Sequence, residues 1–181
     1  MRYDRLEQPQ QWKNPRNIFV CSMADLFGEW VPNEWIEQVF AACEAAPQHN
    51  YLFLTKNPKR YLSLALAGKL PASSNMWFGS TVTTSKNAFF SSGKYKTFLS
   101  VEPLHSDIEI DGIQLIGISW IVIGAETGKH TNKITPKKEW VDSIVKSFDL
   151  LKRPIFMKDS LVPIVGEQNM RRDFPAELRK A

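Results

Sequence analysis

The sequence predicts an α/β fold, an incomplete (β/α) barrel of the TIM type with about six parallel strands. Three observations carry this prediction. First, six short apolar runs are rich in residues that favour β-strands, and they lie at 17–22, 50–55, 75–82, 96–101, 119–124 and 154–158. Second, the runs are unbroken rather than alternating, which is typical of strands buried on both faces of a parallel sheet. Third, amphipathic segments stand between several runs and supply the crossovers that parallel strands need.

Helix signals follow three of the runs. The segment 31–47 has apolar residues at helical spacing, and Asn33 is its predicted N-cap. The segment 57–68 begins with Asn-Pro and ends with glycine, the usual order of signals for a helix. The third amphipathic helix is predicted within 135–151.

The other connections are less regular. Residues 84–95 have room only for a short helix or a loop, and 102–119 are predicted to hold a small excursion with its own strand. The alternation of strands and helices fits a barrel or part of one, and it also fits an open doubly wound sheet. No glycine-rich phosphate loop follows the first run, which disfavours the dinucleotide-binding version of the doubly wound fold.

Composition places the chain among ordinary globular proteins. It has 181 residues, of which 43% are hydrophobic and 23% charged, enough for one domain with a real core. We predict an N-terminal tether over 1–17, where Pro9 and Pro15 discourage a helix, and a single partial barrel domain over 18–181. The net charge of +4 permits an anionic ligand or nucleic acid without indicating one.

The chain shows no sign of a membrane segment or of secretion. It contains no stretch of eighteen apolar residues, and its polar N-terminus lacks the apolar region of a signal peptide. We therefore expect a cytoplasmic protein without a membrane partner. Cys21 and Cys43 are interpreted as buried thiols in a reducing compartment, and with three histidines at unsuitable spacing they predict no metal site.

Polar or charged residues follow every apolar run. Both candidate architectures bind ligands at the carboxyl ends of their strands, so we expect these residues to ring one binding mouth. They are Ser22, Asp25, Thr55, Lys56, Ser80, Thr81, Ser100, Glu102, Glu126, Lys158 and Asp159. Any one of them is equally well explained by a strand that turns polar where it leaves the core, but six coincident clusters are explained less well that way.

Three of these residues are the predicted catalytic groups. Glu102 and Glu126 each follow directly on a long apolar run, which makes their carboxylates the strongest individual candidates. With Lys158 they can pair, shift one another's pKa values and hold a charged substrate. Gly124 could let backbone amides approach an anion, although a turn after a strand also favours glycine.

Six segments, taken in this order, resemble one known family. They are FVCSMADLFGEWVP, LFLTKNPKR, FGSTVT, FLSVEPL, WIVIGAETG and PIFMKDSL. The chain resembles the phage-associated proteins of unknown function that are allied to radical S-adenosylmethionine (SAM) enzymes, with spore photoproduct lyase as a more distant relative. The resemblance covers nearly the whole chain from about Pro9 onward.

The resemblance implies a cofactor site and a substrate site. By it, Ser22 and Asp25 would bind the amino group of SAM, and the strand of WIVIGAETG would pack near the adenine. Glu102, Glu126 and Lys158 would line the substrate side, where the substrate is an unknown small molecule or nucleic acid. The residues predicted to bind cofactor are Ser22, Asp25, Thr55, Lys56, Ser80, Thr81 and Gly124.

The cysteine cluster of that family has no counterpart here. Family members carry it, in the form GC…C..CYA, upstream of the segments that match, and it would hold a [4Fe–4S] cluster; neither Cys21 nor Cys43 matches it. We therefore expect no cluster and no SAM cleavage in this chain, and SAM and [4Fe–4S] as cofactors only in a longer form. Ser22 and Asp25 are still present, so at most weak SAM binding is expected here. The chain is then a fragment or a natural short form, and its polar, proline-rich start favours the fragment.

Two other functions remain open. The barrel mouth could bind an anionic or nucleotide-like ligand without catalysis, or it could be a metal-free enzyme that uses Glu102 and Glu126 as acid and base. A barrel that lacks its first unit also exposes a sheet edge near NIFVCS. We therefore expect either a homo-oligomer through that edge or an ordered N-terminal tail that covers it.

Overall fold

A computed structural model describes residues 3–109, 112–128 and 133–179. Six strands form one sheet. They are β1 (Asn17–Val20), β2 (Asn50–Thr55), β3 (Met76–Thr81), β4 (Lys96–Val101), β5 (Ile118–Ile123) and β6 (Ile155–Met157). All five neighbouring pairs are parallel, and the strands stand in chain order from β1 to β6.

This topology is an incomplete TIM-type barrel, as the sequence predicts. The sheet curls into a half-barrel whose strand order never reverses. A doubly wound sheet would reverse its order at a switch point, so that alternative is wrong. The unbroken apolar runs correspond to strands such as β3, whose residues Met76 to Ser80 are all buried.

The described helices lie mainly on the convex side of the sheet. They are α1 (Gln8–Gln11), α2 (Asn33–Glu44), α3 (Pro58–Leu66), α4 (Gly112–Leu115), α5 (Lys138–Leu150) and α6 (Val162–Val165). One buried cluster joins α2 and α3 to β2 and β3 through residues such as Phe40, Tyr61 and Phe78. A second joins α5 and α6 to β4, β5 and β6 through residues such as Val141, Leu99 and Ile155. Both clusters are the apolar faces that the helical spacing predicts.

Two local predictions need correction, whereas residues 84–95 form a loop, one of the two forms predicted for them. Asn33 is the first residue of α2, and Pro32 precedes it as the N-cap. The strand predicted within 102–119 is not found in its described part, which holds the single turn α4; β4 and β5 already have partners on both edges, so a strand there would lack a neighbour. Residues 110 and 111 of that segment lie outside the described residues.

The concave face of the half-barrel is filled with side chains at its lower end, which is formed by the amino ends of the strands. Leu52, Trp77, Phe98 and Trp120 pack there with Leu178 from the C-terminal segment. That segment crosses the amino ends of the strands: the Asn17 Nδ2 donates to the Leu178 carbonyl at 2.7 Å, and Lys96 pairs with Glu177 at 2.6 Å. The barrel interior is therefore closed below, and it opens at the carboxyl ends.

The two edges of the sheet differ. The outer edge of β6 is covered by residues 171–173, since the Met157 N–H donates to the Arg171 carbonyl and the Asp173 N–H to the Ile155 carbonyl, both at 2.8 Å. Within the described residues, no backbone hydrogen bond reaches the outer edge of β1. This asymmetry leaves one edge of the half-barrel available to another chain.

The N-terminal segment, predicted as a tether, is held in place by a buried histidine. The Arg16 N–H donates to His49 Nδ1 at 3.1 Å, so the proton of the neutral ring lies on Nε2, which contacts the Pro9 carbonyl at 2.8 Å. Pro9 lies in the first turn of α1, where its missing N–H costs nothing, and a short helix forms despite it. In the described part of the chain, no helix has the length and apolarity needed to cross a membrane.

The buried thiol of α2 gives a testable pH dependence. Burial, with a smaller contribution from Glu44, raises the pKa of Cys43 to about 12. The unfolded chain exposes this thiol, which then ionises at a pKa of about 8.5. Its contribution to stability is therefore complete below that pH and is lost as the pH rises toward the folded value.

We expect the free energy of unfolding, measured in urea, to fall between about pH 9 and pH 11. In Cys43→Ala the decline should be shallower, because the contribution of this thiol is gone. It should not vanish, because Tyr51 and Tyr61, whose pKa values burial also raises, remain in both proteins. Parallel pH profiles for the two proteins would contradict this prediction.

Candidate functional site

The alternation of side chains between the two faces of the sheet decides which predicted residues reach the barrel mouth. Along β2 and β3, Leu52 and Trp77 belong to the concave cluster, whereas Phe53 and Phe78 belong to the convex one. Successive side chains alternate between faces, so Thr55 and Ser80 fall on the convex side and Thr81 on the concave side. The same alternation assigns Cys21, Lys56, Glu102, Gly124 and Lys158 to the concave side at the carboxyl ends. These five residues and Thr81 ring the mouth.

Asp25 is the anchor of the mouth on the side of β1, β2 and β3. Its Oδ1 accepts the Phe27 N–H at 3.0 Å, and its Oδ2 accepts the Thr55 hydroxyl and the Lys56 N–H, both at 2.9 Å. The loop after β1 is thereby tied to the end of β2. A carboxylate offers about four acceptor positions, so Asp25 can accept one more donor from a ligand.

Trp30 forms an exposed aromatic wall beside Asp25. The residue is 78% exposed, and its ring lies so close to Gly28 that a Cβ there would stand 2.5 Å from the indole. Glycine at position 28 therefore permits this ring position. Trp30, Asp25, Lys56 and Thr81 line a cleft of about 720 Å³, which we call the mouth cleft. That volume is within the range of small-molecule sites.

Three residues predicted to bind cofactor take different positions. Ser80 is fully buried, and its hydroxyl accepts the Phe90 N–H at 2.9 Å, so it fastens the 84–95 loop and does not face the cleft. Thr55 is buried, and its hydroxyl accepts the Asn57 N–H while it donates to Asp25. Ser22 is exposed in the turn after β1 and lines the mouth cleft.

A second group lies at the ends of β4, β5 and β6. Glu102 and Lys158 form an ion pair through Oε2 and Nζ. The Glu102 side chain passes close over Gly124, directly after β5, on its way to Lys158. A Cβ at position 124 would stand only 2.9 Å from Glu102 Oε1, so a larger residue there would obstruct this path. Gly124 does not have a positive φ, so it serves this close approach and not a left-handed turn.

Glu126 has a partner, His105, that the sequence does not predict. Its Oε2 accepts the Ile134 N–H at 3.3 Å and lies 3.4 Å from His105 Nε2. This contact is not a hydrogen bond, and the buried His105 Nε2 has no hydrogen-bond partner among the described residues. His105 follows β4 by four residues, and no local pattern marks it as a site residue.

Comparison with protein families identifies the chain at family level. The profile of a family described as protein of unknown function, DUF5131, matches residues 1–161. The chain belongs to this family. Comparisons with curated proteins and with solved structures found no match.

For this DUF5131 chain, the described residues do not fit an iron–sulfur cluster. Such a cluster needs several thiolates around one centre, and the sequence has two cysteines. Cys43 is buried in the packed face of α2, as predicted. The prediction that Cys21 is also buried is wrong, because the chain leaves the sheet after Val20 and Cys21 lies exposed in the turn that follows. Within the described residues, no three His, Cys, Asp or Glu side chains are grouped closely enough to hold a metal ion.

Proposed function

We propose that this chain is a radical-SAM-like barrel of a phage-associated family and that its mouth cleft binds SAM. The observation that supports this most is the combination of an exposed indole, Trp30, with the carboxylate of Asp25 and the ammonium of Lys56 around one cleft. The proposal also rests on the resemblance of six ordered segments to proteins allied to radical SAM enzymes.

The chemistry of SAM matches these groups one by one. Its adenine can stack on the indole of Trp30, and its sulfonium is attracted by the negative charge of Asp25 in the same cleft. Its ammonium can donate to the remaining acceptor position of Asp25, and its carboxylate can pair with Lys56. Thr81, half-buried at the end of β3, offers a hydroxyl to the ribose.

The proposal for this chain stops at binding. Reductive cleavage of SAM in radical SAM enzymes is driven by a [4Fe–4S] cluster, and the residues of this chain do not fit that group. Glu102, Glu126 and Lys158 then line the substrate side of the mouth, where a small molecule or nucleic acid would lie.

Isothermal titration calorimetry tests this proposal. We expect measurable SAM binding by the wild type and a loss of about tenfold or more in Trp30→Ala, because stacking of a base on an aromatic side chain contributes about 1–3 kcal/mol. Trp140→Ala is the matched control, since Trp140 is also partly exposed but lies on α5 and lines neither the mouth cleft nor the apolar cleft beside β1. Equal affinities of the wild type and Trp30→Ala would contradict the proposal.

Two further ligands separate SAM binding from the first alternative function, a mouth that binds an anionic or nucleotide-like ligand without catalysis. S-adenosylhomocysteine lacks the sulfonium charge that Asp25 would attract, so it should bind more weakly than SAM. If AMP binds as tightly as SAM and the affinity depends on Lys56 alone, the mouth is an anion- or nucleotide-binding module, and the SAM proposal fails.

A metal-free acid–base enzyme is the second candidate function. It is favoured by the 3.4 Å contact between His105 and Glu126, since a histidine beside a carboxylate is a common general acid–base arrangement. On this candidate, Glu102 and Lys158 orient the substrate. A screen of small-molecule substrates in which His105→Gln and Glu126→Gln abolish turnover, while Lys138→Gln on the exposed face of α5 does not, would support it.

A further inference from the structure

The outer edge of β1 opens onto an apolar cleft. This edge cleft has a volume of about 600 Å³ and runs between the N-terminal segment, β1 and α2. Its walls include Leu6, Trp12, Phe19, Trp35 and Val39. The N-terminal segment forms one wall of the cleft, but it donates no backbone hydrogen bond to β1 within the described residues.

β1 differs from the inner strands in its exposure. Its residues alternate between exposed and half-buried, and Phe19 is 46% exposed, whereas β3 and β4 are buried along nearly their whole length. Unpaired backbone groups beside exposed apolar side chains favour pairing with another strand. The four residues of β1 include neither proline nor a charged residue, the two devices that commonly block such pairing.

A second copy of this chain is the occupant that fits best. Since β1 carries no charge, two copies can meet there without placing like charges opposite each other, despite the net charge of +4. Residues 171–173 already cover the edge of β6, so a β1 edge cannot add to a β6 edge of the next copy. Among the described residues, β1 is then the sheet edge left for strand pairing between copies, and pairing of β1 with β1 gives a closed dimer and not a filament.

Backbone directions fix the register of such a dimer. The Asn50 N–H donates to the Arg16 carbonyl, so Arg16, Ile18 and Val20 direct their backbone groups toward β2. Asn17 and Phe19 alternate with them, and their N–H and C=O groups point outward. A two-fold axis at Phe19 would let the two Phe19 residues exchange both N–H···O bonds as an antiparallel pair, with Cα atoms about 5.5 Å apart.

We propose that this chain forms a closed homodimer in which β1 pairs with β1 of a second copy, antiparallel and centred on Phe19. The pairing joins two half-barrel sheets into one continuous sheet and places part of the second copy in each edge cleft. The edge cleft and the mouth cleft share lining residues, among them Phe19, Asp25 and Trp30, so the second copy would border the mouth. The oligomeric state and SAM binding are nevertheless tested by separate measurements.

Sedimentation velocity tests the oligomeric state. The wild type should sediment as a dimer at tens of micromolar, and Phe19→Lys, which sets two ammonium groups across the axis, should sediment as a folded monomer by circular dichroism. Leu150→Lys is the control, since Leu150 is 77% exposed at the end of α5, and it should remain a dimer. A monomeric wild type, or a dimeric Phe19→Lys protein, would overturn the proposal.

Cross-linking tests the register without depending on the lysine variant. In a Cys21→Ser background, a short bismaleimide should join Phe19→Cys into a covalent dimer within minutes, because the two thiols face each other across the axis. Leu150→Cys in the same background should cross-link much more slowly. Equal rates for the two variants would show that β1 is not the contact.

Discussion

Gly79→Ala is expected to lower the free energy of unfolding by about 3 kcal/mol, at the upper end of the usual cost of overpacking. Gly79 lies opposite Phe98 on the concave face, and an added Cβ would stand 2.2 Å from the ring's Cζ and 2.6 Å from both Cε atoms. The ring cannot move away easily, because it is buried and packs at 5.5 Å from the ring of Trp120.

Urea unfolding measures this effect, and two variants control it. Gly93→Ala should change stability by less than about 0.5 kcal/mol, because an added Cβ at Gly93 meets nothing within 4 Å. In Phe98→Leu the smaller side chain leaves room for the methyl group, so the alanine substitution should cost less there than in the wild type. An unchanged cost in the Phe98→Leu background would mean that the Phe98 ring is not the obstacle.

Asp25→Asn is expected to lower the free energy of unfolding by about 2 kcal/mol, because the amide cannot accept all the bonds that the carboxylate accepts. The Thr55 hydroxyl and the Lys56 N–H both donate to Oδ2, and an NH₂ group in that place would face two donors. The loop after β1 should then loosen, and the mouth cleft should lose its fixed shape.

Asp142→Asn is the matched control for Asp25→Asn. Asp142 pairs with Lys138 on the exposed face of α5, and such pairs contribute only about 0.3–0.5 kcal/mol. Unfolding in urea should therefore separate the two variants clearly. If Asp25→Asn were as stable as Asp142→Asn, the hydrogen bonds of Asp25 would not hold the mouth together.

The fold was predictable because burial on both faces leaves a direct mark on the sequence. The apolar runs of β2, β3 and β4 coincide with the observed strands to within a residue or two. The order of the strands was not fixed by those runs, since the same alternation fits a doubly wound sheet. The extra strand predicted within 102–119 shows that local propensity cannot report whether a partner edge is free.

The candidate site was predictable as a location and less so residue by residue. Because the sheet is parallel, every polar cluster lies at its carboxyl end. Counting alternate residues along β2 and β3 would also have placed Thr55 and Ser80 on the convex side, where both are buried. That signal was in the sequence.

Other site features had no local signal. Trp30 and His105 come from loops, and their positions depend on Gly28 and on the packing of distant segments. The C-terminal segment closes the lower end of the barrel through Glu177 and Leu178, which stand far from the strands in sequence. Contacts of this kind arise from tertiary packing, so no periodic pattern in the sequence predicts them.

Nuclear magnetic resonance of the tryptophan indoles tests the mouth-cleft proposal most directly. The chain has six tryptophans, so a ¹⁵N-labelled sample should give six indole N–H signals. On titration with SAM we expect the Trp30 signal to shift strongly, and the signals of the buried Trp77 and Trp120 to stay in place. A Trp30 signal that does not move at millimolar SAM, or a response centred on Trp140 of α5, would contradict SAM binding at this mouth.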